Sequence, residues 1–259
     1  MTHRALVAVA VLLLAGVESG ATQRAPAWDD GVLACAAFQV TVRSEFETRT
    51  GLQLRLETAG WEGLLRLRGT PGNGDVTVEA WWDSLHVWRD APEGRTAPDT
   101  DGLVGGRYRG RLAPDGAYTP VAVPFLPPAV AEVADLRPLL DDFFPRVPRV
   151  PLQPDATTDA GDGLTIERIA DSSGVTRFRW SLHRATGDTT SVLDTVAVAV
   201  RQRIREEGGM AWATGPGGGP LAWRRLVHVD ATVPAGGAVR RSLRTGLTQR
   251  ISVTRVTTC

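Results

Sequence analysis

The chain has 259 residues, of which 42% are hydrophobic and 22% are charged, and its 29 basic and 29 acidic side chains give no net charge. This length and composition indicate one large or two small globular domains with enough apolar side chains for a core, and the balanced charge argues against a strongly basic nucleic-acid-binding protein. Because all 29 basic residues are Arg and none is Lys, the composition also excludes Schiff-base lysine chemistry and a phosphate-loop lysine.

The N-terminus predicts a secretory signal peptide over residues 1–21. His3 and Arg4 precede an apolar run at 5–17, and small residues follow it at a plausible cleavage point before Thr22. The run is too short to span a bilayer, and no other stretch approaches the roughly 18 apolar residues that a membrane helix needs. We therefore expect an exported protein, in the periplasm, in the cell envelope or outside the cell, that is not transmembrane after signal removal. A retained membrane anchor is the alternative.

The chain has two cysteines, Cys35 near the predicted mature start and Cys259 as its last residue. In an oxidising compartment two cysteines most simply form one disulfide, and a bridge across so long a loop contributes about 5 kcal/mol in the chain-entropy model. Free thiols and an intermolecular bridge are the alternatives. The sequence VLAC at 32–35 also resembles a lipoprotein cleavage box, but charged residues separate it from the apolar run, so lipidation of Cys35 is a further alternative.

Alternating apolar and polar residues predict half-buried β-strands along most of the chain. The pattern begins at Phe38, Val40 and Val42, and the clearest turns between strands are the Gly- and Pro-rich sequences at 69–74 and 113–116. The later apolar positions are Leu52, Leu54, Leu56, Val76, Val78, Ala80, Trp82, Phe178, Trp180, Leu182, Val192, Val196, Val198, Val200, Ile204, Trp223, Val227, Val229, Val233, Leu243, Leu247, Ile251 and Val253. We interpret residues 192–204 as one long strand.

One segment has helical periodicity. Its apolar residues recur at i, i+3, i+4, i+7 and i+8, as in an amphipathic helix, and they are Leu136, Leu139, Leu140, Phe143 and Phe144. Pro138 fits best at the start of a second helical piece, where its missing N–H costs nothing. We predict a helix over about 128–144, followed by a Pro-rich linker over 145–163.

These elements predict a mainly β protein with long, antiparallel, curved strands that form a half-barrel or an open barrel. One central α-helix and the Pro-rich linker join two β-rich halves at 22–150 and 151–259. The first half has a net charge of −4 and the second of +4, which either helps the halves to pack or leaves two differently charged surfaces. The last strand follows Asp230 with five Arg and no acid, a pattern typical of a solvated edge strand.

Tryptophan is unusually frequent, with eight Trp against two Tyr. Trp81 and Trp82 are neighbours on a strand and must point to opposite faces. Our leading hypothesis is a groove between the curved sheet and the helix that binds an apolar or amphipathic ligand, such as a lipid or a lipoprotein. The residues predicted to line this groove are Trp82, Trp88, Trp180, Leu140 and Phe143. The alternative is that most of the tryptophans belong to the core.

No motif predicts catalysis, and we expect a non-enzymatic protein without cofactor or metal. The chain lacks Gly-x-Ser-x-Gly, His-Glu-x-x-His, Cys-x-x-Cys and a phosphate-binding glycine loop. The spacing of His86, His183 and His228 does not support a zinc site. The second hypothesis is a structural or protein-interaction module whose partner is another envelope protein, and the third is a hydrolase without a recognisable motif. No hypothesis includes nucleic acid as a partner.

The sequence GRYRGRLAPDG at 106–116, followed by the predicted helix and by FPRVP at 144–148, resembles uncharacterised secreted or lipid-anchored β-rich envelope proteins of bacteria. The resemblance implies a β-rich fold and an envelope location, and it brings no known activity. The chain departs from that pattern after the Pro-rich entry, where Asp162-Gly163-Leu164 replaces a Gly-Asp-x-Trp signature. The long strands are also similar in architecture to half-barrel lipoprotein carriers of the periplasm.

Overall fold

A computed structural model describes residues 25–141, 143–193, 196–215, 218–235 and 241–258. The described chain forms an antiparallel sheet of 12 strands with a few short helical turns, which confirms the predicted mainly β class. The predicted signal peptide at 1–21 and Cys259 lie outside the described residues. Among the residues that are described, no helix is long and apolar enough to cross a membrane.

Six strands come from the first part of the chain and six from the second. The first six are β1 (Ala36–Thr50), β2 (Gln53–Pro71), β3 (Val76–Ala91), β4 (Gly94–Thr96), β5 (Tyr108–Leu112) and β6 (Tyr118–Ala122). The second six are β7 (Thr157–Asp159), β8 (Leu164–Ser172), β9 (Val175–Leu193), β10 (Val196–Ala213), β11 (Pro220–Val233) and β12 (Leu243–Thr258). The helical turns of the described chain are α1 (Asp30–Leu33), α2 (Pro128–Ala131) and a 3-10 turn at Asp101–Leu103.

The first and the last strand lie next to each other at the centre of the sheet. The strand order is β6-β5-β3-β2-β1-β12-β11-β10-β9-β8-β7, and β4 pairs with β3. The chain therefore runs outward from β1 to the edge strand β6, crosses to the opposite edge, and runs inward from β7 to β12. Strands β1 and β12 pair from Ala36 opposite Thr258 to Thr50 opposite Leu243, so both predicted halves contribute to one continuous, open sheet.

The connection from β6 to β7, residues 123–156, packs on one face of the sheet, and we call it the crossing segment. Directly opposite residues of antiparallel strands share a face. The face under the crossing segment carries Phe38 and Val40 of β1, both buried, and Phe38 contacts Phe143 of the crossing segment at a ring-centroid distance of 5.9 Å. We call this the covered face. The opposite, open face carries exposed polar residues on the same strand, among them Thr41 and Arg43.

The segment ahead of β1 completes the core on the covered face. Trp28 is fully buried, and its ring makes edge contacts with Phe144, Trp212 and Trp223 at centroid distances of 5.1, 5.4 and 6.1 Å. The indole N–H of Trp28 donates to the carbonyl of Pro145 at 3.0 Å. This residue therefore links the N-terminal segment, the crossing segment and the second part of the sheet.

Helix α1 adds Val32 and Leu33 to the same core. Asp29 caps its first turn, because its carboxylate accepts a hydrogen bond from the Val32 N–H at 2.8 Å. A Cβ atom at Gly69 of β2 would lie 2.7 Å from the Cβ of Leu33. Glycine at this position therefore allows α1 to pack directly against the sheet.

The structure does not confirm the predicted central helix over 128–144. Of the described residues in this range, only those of α2, at its start, are helical, and turns follow. Pro138 accounts for the interruption, because it lacks an N–H and disfavours helical backbone at Arg137. The Arg137 N–H instead donates to the Asp135 carboxylate at 3.1 Å. The apolar stripe is nevertheless buried at Leu136, Leu140, Phe143 and Phe144.

The interpretation of residues 192–204 as one strand is wrong. Strand β9 ends at Leu193 and β10 begins at Val196, and these two residues pair across a hairpin. Residues 194 and 195, which connect them, lie outside the described residues. Because the connection contains neither Gly nor Pro, the alternating pattern continues through it without the usual mark of a tight turn.

The leucines after the β1–β2 turn are not half-buried as the alternation predicts. They are Leu52, Leu54 and Leu56, with 105%, 52% and 60% exposure. Glu57 lies instead on the covered face, where it accepts hydrogen bonds from Arg55 and Arg89. Burial alone would raise the pKa of Glu57, but the two guanidinium groups outweigh it and lower this pKa below its ordinary value.

The β1–β12 register favours the predicted disulfide. Its last pair is Ala36 opposite Thr258, and Cys35 and Cys259 are the sequence neighbours of these two residues. Opposite positions of an antiparallel pair have the Cα separation that a disulfide needs. Because Cys259 lies outside the described residues, the disulfide stays a prediction.

Candidate functional site

A cavity of about 290 Å³ lies on the covered face, between the crossing segment and strands β8–β11. The β5–β6 turn and the crossing segment form one wall, and the sheet forms the other. We call it the aromatic cavity. Two predicted features meet there, the apolar stripe of the crossing segment and the strand that carries Trp180.

Aromatic rings form the apolar side of the cavity. Phe143 contacts Phe144 and Trp223 edge-on, at centroid distances of 5.1 and 5.0 Å, and Tyr118 lies 5.7 Å from Phe144. Trp180 adds a further indole from β9. Rings packed edge-to-face are rigid hydrophobic contacts, so this side offers an apolar surface to a hydrocarbon chain or a ring.

A buried ion pair forms the polar side of the cavity. Glu206 of β10 accepts hydrogen bonds from the Trp180 Nε1–H at 2.9 Å and from Nη2 of Arg225 at 2.7 Å. The side chains of Glu206 and Arg225 are only 9% and 15% exposed. Charges withdrawn from water in this way interact more strongly than charges at the surface.

Gly208 of β10 allows the Trp180 ring to lie against the sheet. It stands opposite Trp180 on β9 and opposite Arg225 on β11. A Cβ atom at Gly208 would lie 2.1 Å from a ring atom of Trp180. Any side chain here would displace the indole and its hydrogen bond to Glu206, so the polar side of the cavity depends on this glycine.

The mouth of the cavity carries both signs of charge. Arg184 lies 3.8 Å from Asp162, and Asp141 lines the mouth from the crossing segment. Burial, and then the charge of Asp141, raise the pKa of the Tyr118 hydroxyl above its ordinary value. Tyr118 therefore stays protonated at neutral pH and can donate a hydrogen bond.

Asp115 fastens the crossing segment beside the cavity. Its carboxylate accepts hydrogen bonds from Arg146 at 2.8 Å, from Arg149 at 2.9 Å and from the Ala117 N–H at 3.1 Å. Burial alone would raise the pKa of Asp115, but these donors together lower it below its ordinary value. The ionised carboxylate thus ties the β5–β6 turn to the wall of the cavity.

The structure separates the five residues that the sequence predicts in one groove. Trp180 and Phe143 line the aromatic cavity. Trp82 and Leu140 are buried within the core. Trp88 lies on the open face, opposite Gly60. Two of the five are therefore placed to contact a ligand in this cavity, and the other three are not.

Glu206 and Arg225 are not among the site residues predicted from the sequence, although each leaves a signal in it. Glu206 stands at a covered-face position of β10, between apolar or glycine positions of the same face, and Arg225 stands between Trp223 and Val227 on β11. A charged residue in an apolar register marks a buried polar group. Only the pairing of β9, β10 and β11 shows that both residues lie on the covered face.

Within the described ranges, no three or more His, Cys, Asp or Glu side chains lie close enough together to hold a metal ion. The described histidines stand apart on the open face, at His86 of β3, His183 of β9 and His228 of β11. Strand pairing therefore brings the candidate ligands of the sequence analysis into no common site.

No protein-family model matches the chain, and no curated protein matches it. A solved structure described as "Lipid-protein interactions in lipovitellin" is similar in fold, with a TM-score of 0.47 and 9% identity. The match covers 87% of this chain and 26% of that chain, so the chain spans about a quarter of the length of this neighbour. A similarity of this level supports no conclusion about function.

Proposed function

We propose that this chain is an exported, non-enzymatic protein of the bacterial envelope that binds an amphipathic small molecule in the aromatic cavity. The observation that carries the proposal is the presence, in one cavity, of an aromatic side and the buried pair Glu206–Arg225. Withdrawing an ion pair from water often costs more than the pair returns. If stability were the only requirement, apolar side chains would be expected in place of Glu206 and Arg225.

The cavity suits a ligand with an apolar body and a polar head. The rings of Phe143 and Phe144 offer contact to the body, while the Trp180–Glu206–Arg225 group offers hydrogen-bond donors and an acceptor to the head. Both signs of charge are present at the polar side and at the mouth. A head group that both donates and accepts, or a zwitterion, therefore matches better than a simple anion or cation.

The size of the cavity narrows the ligand class. Its volume of about 290 Å³ lies at the lower end of the range of about 300–1,000 Å³ that is usual for small-molecule sites. One short acyl chain or one ring system fits this space. A complete two-chain phospholipid is too large for the cavity. Among lipid-like ligands, a small amphiphile therefore fits better.

The proposal includes export, and the buried core limits the positions at which a signal peptide can be cleaved. Trp28 is fully buried, and cleavage near Thr22 retains it. Cleavage directly before Cys35, which lipidation requires, would remove Trp28 together with Val32 and Leu33 and leave a large void in the core. We therefore favour signal cleavage near Thr22 over lipidation of Cys35.

Two finer structural features complete the proposal. Strands as long as β1 and β2, with 15 and 19 residues, favour a sheet that twists and curves into a half-barrel around the crossing segment. A Cys35–Cys259 disulfide would fasten the N-terminal segment to the last strand at the centre of the sheet. Both features would hold the walls of the cavity in a fixed geometry.

A plug at the mouth of the cavity tests the proposal. Ala160 is exposed and lines the mouth, so Ala160→Trp places an indole there. Ala131→Trp adds the same ring to α2, at an exposed position outside the cavity, and is the matched control. We expect the fluorescent amphiphile dansylamide, which has one ring system and a sulfonamide head that donates and accepts hydrogen bonds, to bind the unmodified protein and Ala131→Trp equally, and to bind Ala160→Trp at least about tenfold more weakly.

Equal affinity of the two tryptophan variants would show that the amphiphile binds elsewhere. An absence of binding to the unmodified protein would favour the second hypothesis, a structural or protein-interaction module without a ligand cavity. Circular dichroism of both variants distinguishes either result from a loss of folding.

A further inference from the structure

Exposed leucines stand together at the outer end of the β1–β2 hairpin. Leu54 and Leu56 lie on β2 at 52% and 60% exposure, and Leu52 precedes them in the turn with its side chain fully exposed. Leu54 stands opposite Arg49 of β1. We call these three leucines the leucine row. Clustered exposure of large apolar side chains is uncommon and marks interaction surfaces.

Arginines occupy the same end of the same face. Arg49 stands opposite Arg244 of β12, Arg244 opposite Thr232 of β11, and Thr232 opposite Arg201 of β10. Because directly opposite residues share a face, Leu54 and these arginines form one line across the open face. The arginines and the leucine row therefore face the same surroundings.

Positive charge exceeds negative charge around this line. Five exposed arginines, which we call the tip arginines, are Arg49, Arg201, Arg203, Arg205 and Arg244. Two described acidic side chains lie beside these arginines. They are Glu47, 3.2 Å from Arg49, and Asp230, 3.5 Å from Arg205. Exposed pairs of this kind neutralise charge only weakly, since water and salt screen them. Among the side chains that the structure describes here, a net positive surface remains beside the leucine row.

The tip arginines differ in how far acids of the protein compensate their charge. Among the residues that the structure describes, neither Arg203 nor Arg244 forms an ion pair within 4 Å, but Arg203 stands opposite Asp230, whereas Arg244 has no acid opposite it on β1 or β11. Arg244 also stands directly opposite Arg49, and like charges in opposite positions of two strands repel each other. An external anion would relieve this repulsion.

We propose that the leucine row and the tip arginines together form a docking surface for a bilayer that contains anionic phospholipids. The leucines enter the boundary between head groups and acyl chains, and the arginines contact lipid phosphates with their planar guanidinium groups. The inference stands on the open face and is independent of the aromatic cavity.

A bilayer explains both observations better than a macromolecular partner does. A second copy of this chain on a two-fold axis would bring two sets of tip arginines together. A polyanion such as a nucleic acid would use the arginines and leave the leucines exposed. A membrane interface accepts a projecting apolar row without a complementary pocket and supplies the anions beside it.

Vesicle flotation tests the proposal with the protein as a bacterial host secretes it. The probes are vesicles of phosphatidylcholine alone and of equal parts phosphatidylcholine and phosphatidylglycerol. We expect binding to the anionic vesicles only, and weaker binding as salt rises, because salt screens the arginine contribution. Absence of binding to both kinds of vesicle would overturn the proposal, as would equal binding to both.

Paired substitutions separate the two components of the surface. Leu54→Thr combined with Leu56→Thr keeps strand-forming residues and should lower the partition coefficient about tenfold. Val121→Thr on β6, where Val121 is 69% exposed, is the apolar control and should bind normally. Arg203→Gln combined with Arg244→Gln should weaken binding about fivefold per arginine. Arg111→Gln, on the open face of β5, is the charge control.

Three further results would contradict the proposal. Undiminished vesicle binding of the double leucine variant would show that the leucine row takes no part. A dimer in sedimentation equilibrium that the same variant loses would identify a second copy as the occupant. Equally tight binding to a DNA duplex and to anionic vesicles would identify an unspecific polyanion surface.

Discussion

The inner and outer ends of the β1–β2 hairpin place their apolar residues on opposite faces of the sheet. At the inner end, Phe38 and its opposite residue Leu65 are buried under the crossing segment. At the outer end, Leu54 and Leu56 point to the open face, and Glu57 takes the covered one. Because the side-chain period of a strand is two, the apolar positions of β2 change from even to odd numbers along its length.

The difference shows that the two ends of one long strand can lie in different environments, each of which determines which residues are buried there. The inner end is stabilised by burial of apolar area under the crossing segment, whereas ion pairs such as Glu57 with Arg55 and Arg89 hold the outer end. Burial contributes much more per residue than exposed charge pairs do. Substitutions should therefore be costly at the inner end and inexpensive at the outer end.

Trp28→Ala should give the largest effect. This residue is fully buried and contacts three aromatic rings, and removing it should lower the free energy of unfolding by about 3–5 kcal/mol. Leu54→Ala at the outer end should change it by less than about 0.5 kcal/mol. Urea unfolding followed by far-UV circular dichroism measures both. Similar losses for the two variants would contradict the distinction between the buried core of the covered face and the exposed outer end.

Glu206→Gln should have an intermediate effect on the free energy of unfolding. The substitution removes the carboxylate that accepts a hydrogen bond from Arg225 Nη2, and the loss of such a buried contact costs about 1–3 kcal/mol. Glu45→Gln is the control, because Glu45 forms an exposed pair with Arg250 and should cost less than about 1 kcal/mol. The dansyl amphiphile should also bind Glu206→Gln more weakly and Glu45→Gln normally. The reverse ranking in unfolding or in binding would contradict the assigned polar side of the cavity.

Lowering the pH should weaken the attachment of the crossing segment to the β5–β6 turn. The expected loss of stability is smaller than that of the two substitutions above. The pKa of Asp115 is lowered in the folded state, so its contacts contribute fully above the ordinary carboxyl pKa of about 4. This contribution is lost as the pH falls through the lowered folded-state pKa. It amounts to about 1 kcal/mol, since both arginines are partly solvated. Asp115→Asn should be less stable at neutral pH and should lose less stability below about pH 4 than the unmodified protein; parallel pH profiles would contradict this.

Alternation in the sequence predicts most strands, and the helical stripe predicts which residues of the crossing segment are buried. Both follow from local patterns. The chain direction within the crossing segment does not, because Pro138 interrupts the helix while the same residues still reach the core. The alternation does not predict the hairpin between β9 and β10, because it continues from one strand to the next and no Gly or Pro separates them.

The functional site depends on strand partners, which alternation does not specify. The sequence predicts Trp180 and Phe143 together because both belong to apolar patterns, and the structure places both at the aromatic cavity. Glu206 and Arg225 could not be assigned to it, since only the β10–β11 register puts them on the covered face. Trp82 and Trp88 show the same limit: both lie on β3, yet one is in the core and the other on the open face.

Native mass spectrometry of the secreted protein, beside its Ala160→Trp variant, tests the central claim most directly. Occupation of the aromatic cavity predicts extra mass on the unmodified protein that disappears on denaturation, matches a small amphiphile, and is absent from Ala160→Trp. A bare chain in both samples, or the same extra mass on both, would contradict a ligand in this cavity.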